Sequence, residues 1–226
     1  MIYLIKFNIL LIAGYLLYKV FFQNGTTVQA RRIFLLFVLL FAVVIPFLSP
    51  IAITTNTSGL QQVLSAVEIN GAITTKVTNT TTNNVLSVMY LIAVGGMALF
   101  TCYRIFSILT LIAGSQKRKS DGYIIISNEK ITTPASFFNF IFMPAHLDGK
   151  AYALIYQHER LHARQWHSAD VLLFEVVKWF SWFNPFVYLL QKEIRFVHEC
   201  IADKEAGEAN SSFYQELLVQ FHLTAE

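Results

Sequence analysis

The sequence has 226 residues, of which 55% are hydrophobic and only 14% charged, with a formal net charge of +3 and a mean hydropathy of +0.51. Soluble domains carry nearer a quarter charged residues, so these figures exclude an ordinary soluble protein and point to a membrane protein with a smaller polar part. The lysines and arginines sit beside apolar runs and read as topology signals and not as a nucleic-acid surface, and two cysteines, Cys102 and Cys200, make no disulfide framework.

The first apolar run, residues 1–22, is interrupted by Lys6, Asn8 and Lys19. It is long enough to span a hydrocarbon core of about 30 Å as a helix. A weakly charged start and the lack of a clear A-x-A site favour a retained span over a cleaved signal peptide. A polar link ends in Arg31-Arg32, and residues 33–53 form the second expected span, which Pro46 and Pro50 should kink or end early. Residues 54–84 are rich in Thr, Asn and Ser and read as an external loop. The third span is expected over residues 85–114, where Gly95-Gly96 would allow close helix packing, and Lys117-Arg118-Lys119 follows at once. The basic residues flank the first and third connections. They place the N-terminus and residues 54–84 outside and everything after Lys117 in the cytoplasm.

The polar part opens with strand-like runs at Tyr123–Ser127 and Thr133–Met143, the second bounded by Pro134 and Pro144 as suits an edge strand. An extended peptide could add to that edge along Ala135, Ser136, Phe137, Phe138, Asn139 and Phe140. Helices are expected over residues 151–169, over 171–183 with Asp170 as cap, and from Asn184-Pro185 to about Ala206 with Gly207 as the stop. The 171–183 helix is apolar on nearly every face, yet short and broken by Glu175 and Lys178. It is expected in a buried core or at the membrane surface. Residues 211–224 read as one more amphipathic helix.

The first of these helices carries His158-Glu159-Arg160-Leu161-His162. Residues four apart share a helix face, so both imidazoles can reach one metal ion, with Glu159 leaning in from the side. Neutral imidazoles suit Zn²⁺; an open position would hold a water whose pKa the metal lowers, and a carboxylate can take its proton. The rival for five residues alone is a solvated helix face. A third ligand must come from elsewhere, and the downstream carboxylates are Asp170, Glu175, Glu193, Glu199, Asp203, Glu205, Glu208, Glu216 and Glu226. Glu175 lies in an apolar stretch and can pair with Lys178, and Glu193 reads as solvated or salt-bridged. Glu199 stands out because Asp203 is one turn on. One carboxylate can bind metal while the other hydrogen-bonds a ligand histidine; the rival is a surface acidic pair, slightly unfavourable near a helix C-terminus. His167 is off the ligand face and reads as a core or supporting group. His198 and Arg195 are candidates for oxyanion or substrate contacts, with an ordinary surface role as rival. Cys200 reads as a small buried thiol.

Together with Gln165, His167 and Asp170, then Trp182-Phe183-Asn184-Pro185, then Glu199-Cys200-Ile201-Ala202-Asp203, the motif resembles the membrane-embedded zinc peptidases of the bacterial BlaR/MecR antibiotic-sensor family. The segment between Pro134 and Pro144 resembles the stretch before that family's active-site helix. The resemblance implies a mainly α membrane protein: three N-terminal transmembrane helices within residues 1–114, then a small α+β gluzincin-like zinc peptidase domain, residues 115–226, facing the cytoplasm. It implies His158, His162 and Glu199 as zinc ligands, Glu159 as general base and Asp203 as a supporting carboxylate. It further implies an endopeptidase of the bacterial cytoplasmic membrane that cleaves itself or a cytoplasmic regulator, such as a transcriptional repressor, to relay a signal. Its partners would be a peptide substrate and the lipid bilayer, without direct nucleic-acid binding, and with self-association open. Many relatives continue into another span and an external sensor. The rivals are a non-proteolytic signalling scaffold on the same fold and a transporter, the latter poorly supported by three spans without an intramembrane carboxylate pair.

Overall fold

Three long helices come first in the computed structural model, which describes residues 2–22, 26–48, 80–147 and 149–209. They are α1 (Ile2–Leu17), continued by a π-helical turn over Tyr18–Phe22, α2 (Val28–Leu48) and α3 (Thr80–Ala113). The segments Tyr3–Phe22, Val28–Ile45 and Val85–Ala113 are each long and apolar enough to cross a membrane. Ile9, Val20, Ile33, Leu91 and Leu99 point outward from them, an apolar surface of the kind that lipid covers.

The boundaries differ from expectation for local reasons. The Thr27 hydroxyl accepts the Ala30 N–H at 3.4 Å, so α2 starts before residue 33 and takes Arg31 and Arg32 into the helix. α3 starts at Thr80, inside the stretch expected as an external loop; residues 54–79 and the helix expected over 211–224 lie outside the described residues. α1 and α2 approach closely at Gly14, where a Cβ would overlap the Val38 side chain. Gly95 and Gly96 are different: among the described residues nothing lies within 4 Å of a Cβ built at either.

A four-stranded sheet follows α3. Its strands are β1 (Gln116–Ser120), β2 (Tyr123–Asn128), β3 (Ala135–Phe137) and β4 (Phe140–Pro144), in the order β1-β2-β4-β3. β2 and β4 are parallel and the other pairs antiparallel. The basic run Lys117-Arg118-Lys119 forms β1 itself, and a charged edge of this kind resists pairing. The single edge strand expected over Thr133–Met143 is a hairpin instead. Phe138 takes a left-handed φ of 50°, which turns the chain so that Phe138 and Asn139 form the turn between β3 and β4 and Phe140 pairs inside the sheet. Only Ala135, Ser136 and Phe137 remain on the outer edge.

Three helices follow the sheet, α4 (Gly149–Arg164), α5 (His167–Phe180) and α6 (Pro185–Ala209). Ile125, Ile141 and Met143 pack on Ile155 and Ala163 of α4, and on the other face Ile126 and Phe142 meet Ile112 at the end of α3. The break between α4 and α5 falls at Gln165-Trp166, with Trp166 left-handed at φ 58°. Asp170 is therefore inside the first turn of α5 and does not cap it. Asn184 does cap α6, its Oδ1 accepting the Phe186 N–H at 2.9 Å, and α6 continues past Gly207.

The main core joins the two ends of the chain. Phe7, Leu11, Leu35 and Leu39 of α1 and α2 pack with Phe174 and Val177 of α5 and with Val187, Leu190 and Ile194 of α6. Asn184 Nδ2 donates to Asn8 Oδ1 at 2.7 Å, and Lys19 Nζ meets Glu193 Oε1 at 2.6 Å. On the other side the Tyr90 hydroxyl donates to the Phe180 carbonyl at 3.0 Å and Trp179 Nε1 to Thr101 Oγ1 at 3.2 Å. The tip of the α5–α6 pair thus lies beside the apolar stretches of α1 and α3. The division expected after residue 114 is not a packing boundary. The apolar helix expected over 171–183 is half-buried, with Phe174 and Val177 inward and Leu173, Val176 and Phe180 outward.

Candidate metal centre

The regular turn of α4 places His158 and His162 on one face, and α6 brings Glu199 against them. His158 Nε2 and His162 Nε2 are 3.0 Å apart. Glu199 Oε2 lies 3.4 Å from the first and 3.7 Å from the second. Among the described residues this trio is a group whose donor atoms converge closely enough to hold a metal ion. A tetrahedral ion with bonds of 2.0–2.2 Å has donor–donor edges of about 3.3–3.6 Å, and the three distances bracket that value.

The outer nitrogens of both histidines are occupied. His158 Nδ1 is 3.4 Å from Asp203 Oδ1, and His162 Nδ1 is 2.7 Å from His167 Nδ1. With the Nδ1 protons assigned to these partners, both Nε2 atoms present lone pairs toward a carboxylate oxygen. Three acceptor atoms then converge on one point, a set that a cation satisfies. Burial alone would lower the His158 pKa, but the Glu199 hydrogen bond and the charges of Glu159, Glu199 and Asp203 raise it. Burial likewise opposes ionisation of Glu199, yet its hydrogen bonds to His158 and His162 hold it far below the usual carboxylate range. Both shifts report an electronegative pocket lined by imidazoles. Cys200 is half-buried and unpaired with another cysteine, and it is not in the converging group.

Glu159 is 8% exposed. Burial pushes its carboxyl up, against the pull of His162, His158 and the Ser136 hydroxyl. A carboxylate so poised can accept a proton and give it back. Glu159 and Ser136 belong to α4 and to the edge strand β3, so the strand and the centre are directly joined.

Behind the centre is a buried polar chain. His167, 3% exposed, stacks on His198 with ring centroids 3.9 Å apart. Burial and the neighbouring charges push His167 down to about 2, so it is a neutral imidazole. Accepting the His162 proton at Nδ1 leaves its own proton on Nε2, a buried atom without a hydrogen-bond partner. His198 Nε2 is 2.9 Å from Asp170 Oδ2, which also receives Arg32 Nε at 2.7 Å. Arg32 continues to Gln165, donating to its side-chain oxygen at 3.0 Å and its carbonyl at 2.6 Å. His198 therefore serves as a buried link and its Nε2 is committed to Asp170. Arg195 is more open, with 55% of its side chain exposed and Glu175 at 3.7 Å. Glu175 itself is tied to Lys178 at 2.8 Å, and Glu193 to Lys19.

The centre opens into a cleft of about 490 Å³. His162, His167, His198 and Glu199 form one end and Ala135–Phe137 of β3 one rim. Thr101, Arg104, Ile105 and Ile108 of α3 also line the cleft. Ser168 fastens the rim: its hydroxyl accepts the Phe138 N–H at 3.2 Å and donates to the Ser136 carbonyl at 3.4 Å. The roles of Arg32 and Ser168 were not visible in the sequence, since Arg32 reads there as a topology charge and Ser168 carries no pattern.

Arg32 and Asp170 are mostly enclosed, with 15% and 11% of their side chains exposed. Removing one partner of a buried pair strands the other and costs about 3–5 kcal/mol. Asp170→Ala should lower the thermal midpoint in detergent markedly, and Asp170→Ala with Arg32→Met should lose less than the two single changes added together. An Asp170→Ala protein as stable as the wild type would contradict this reading of the pair.

Comparison with known proteins agrees with the geometry. The family described as BlaR1 peptidase M56 matches residues 10–223. Among curated proteins, nothing matches the chain. The match covers part of the first apolar helix, the other two, the sheet and every residue of the converging group, and the chain belongs to the BlaR1 peptidase M56 family, a family of metallopeptidases.

Proposed function

We propose that this protein is an integral-membrane zinc endopeptidase with a gluzincin-like site, which cleaves itself or a cytoplasmic regulator in transmembrane signalling. The observation that carries the reading is the convergence of His158 Nε2, His162 Nε2 and Glu199 Oε2 beside the buried Glu159, at the end of a strand-edged cleft. His158, His162 and Glu199 would hold Zn²⁺, with Asp203 and His167 fixing the two imidazoles from behind. A bound zinc supplies Lewis acidity, making water more acidic and polarising the scissile carbonyl. Glu159 takes a proton from the attacking water as the new C–O bond forms, and hands it to the departing amine as the C–N bond breaks. The non-proteolytic scaffold gains nothing from a complete set of ligands and base.

The substrate would lie extended against β3. Phe137 and Phe140 close a two-residue turn, so alternation along the ladder turns the Ser136 N–H and C=O away from β4. Ser168 takes the Ser136 carbonyl, and the Ser136 N–H stays available to an added strand. Such pairing holds a scissile bond without demanding one sequence.

One set of purified variants tests the centre and the edge together. Glu159→Gln should keep zinc while cleavage falls at least ~10²-fold, the scale of general-base loss. Glu199→Ala should lose or greatly weaken zinc, and cleavage with it. Ser136→Pro should impair cleavage well beyond Ser136→Ala with zinc retained, because only the proline removes the N–H. Full zinc in Glu199→Ala would show that another residue is the third ligand, and equal activity of the two Ser136 variants would place the peptide elsewhere.

The orientation we infer has the N-terminus and residues 54–79 outside and the peptidase part, from about residue 115, in the cytoplasm. Arg32 reaches Asp170 and Gln165 beside the metal centre, the exposed Lys117, Arg118 and Lys119 form β1 of the sheet that packs on α4, and basic residues favour the cytoplasmic side. Reporter fusions after Ser120 should report cytoplasm and fusions within residues 54–79 the outside; the reverse pattern rejects the assignment.

A further inference from the structure

Arg104 is the single charged residue between Val85 and Ala113, the longest of the three apolar segments. A charge in such a segment is costly unless it serves a site. It lines the cleft that ends at His162 and Glu199, and among the described residues it makes no hydrogen bond or ion pair. The other charges of the cleft are matched. Glu175 is held by Lys178 at 2.8 Å and Gln191 at 2.9 Å, and Glu199 faces the two ligand histidines. Arg195 reaches Glu175 only at 3.7 Å and stays largely exposed. The cleft therefore carries an unmatched guanidinium and a loosely held one, with the apolar Ile105, Ile108, Val171 and Leu172 also in its lining.

We propose that Arg104, assisted by Arg195, is an anion subsite that binds a carboxylate of the peptide substrate. A guanidinium fork receives a carboxylate with two parallel hydrogen bonds, stronger than neutral ones. An acidic side chain and a free C-terminus offer the same group. The apolar wall takes the residues that separate this carboxylate from the scissile bond, so the preferred substrate is an extended peptide with apolar residues next to an acidic position. The inference rests on the reading of the cleft as a peptide site.

The test uses the full chain in detergent and N-acetylated decapeptides in which one Glu is moved through every position. Each peptide has a Gln twin, and each is made as free acid and as amide. Binding is measured on the Glu159→Gln protein and cleavage on the otherwise unchanged chain. In at least one register the Glu peptide should bind about tenfold tighter than its twin, the scale of a charge-assisted pair. Arg104→Gln should abolish that ratio, Arg104→Lys should keep part of it, and Arg104→Glu should invert it. An advantage seen also in the amides assigns the carboxylate to a side chain, and one confined to the free acids assigns it to the C-terminus. No Glu-over-Gln difference in any register overturns the subsite, as does a difference that survives Arg104→Gln; Arg104 would then be a headgroup anchor. Arg104-dependent binding without cleavage would overturn the peptidase reading and leave the subsite standing. Cleavage without discrimination would do the reverse.

Discussion

One guanidinium and one carboxylate hold four elements in register. Arg32 from α2 donates to Asp170 in α5 and to Gln165 just after α4, and Asp170 also holds His198 of α6. Gln165 ends the helix that carries His158 and His162. His198 directly precedes Glu199. The relative rotation of the two helices that supply the converging group is thus fixed by a charge from a membrane-spanning helix. The Arg32 contact to the Gln165 carbonyl also places a cation at the C-terminal end of α4, where the helix dipole favours it.

This arrangement explains why the polar part does not stand alone. α6 is built into the core of α1 and α2 through Leu11, Leu35, Leu190 and Ile194, and α5 leans on α3 through Tyr90 and Trp179. The cleft that β3 rims is also lined by α3. The same long apolar helices therefore shape the ligand geometry and the cleft, and a shift of α2 along its axis would pull on Asp170 and Gln165 together.

Much of this was legible in the sequence. Helical periodicity put both histidines on one face, and the spacing of Glu199 and Asp203 singled out α6. Asn184-Pro185 marked the start of α6 because its capping chemistry is local. Other features depend on tertiary contacts that no local pattern carries. The hairpin at Phe138 was hidden because a left-handed phenylalanine has no turn signature, so residues 133–143 read as one strand. The α4–α5 break at Trp166 was hidden for the same reason. Arg32 looked like a topology charge because its partner lies far away in sequence, and the apolar α5 could not reveal that it docks beside α3. Arg104 did leave a signal, a lone charge in an apolar segment, which only its place in the cleft makes informative.

The central claim is that two imidazoles and the Glu199 carboxylate bind zinc. X-ray absorption at the zinc edge, on the purified full chain with one zinc bound, tests it most directly. The account predicts a first shell of nitrogen and oxygen only, at about 2.0–2.2 Å, with the outer-shell scattering of two imidazoles. A sulfur scatterer near 2.3 Å would bring in Cys200, and a shell with fewer than two imidazoles would remove His158 or His162; either result contradicts the centre described.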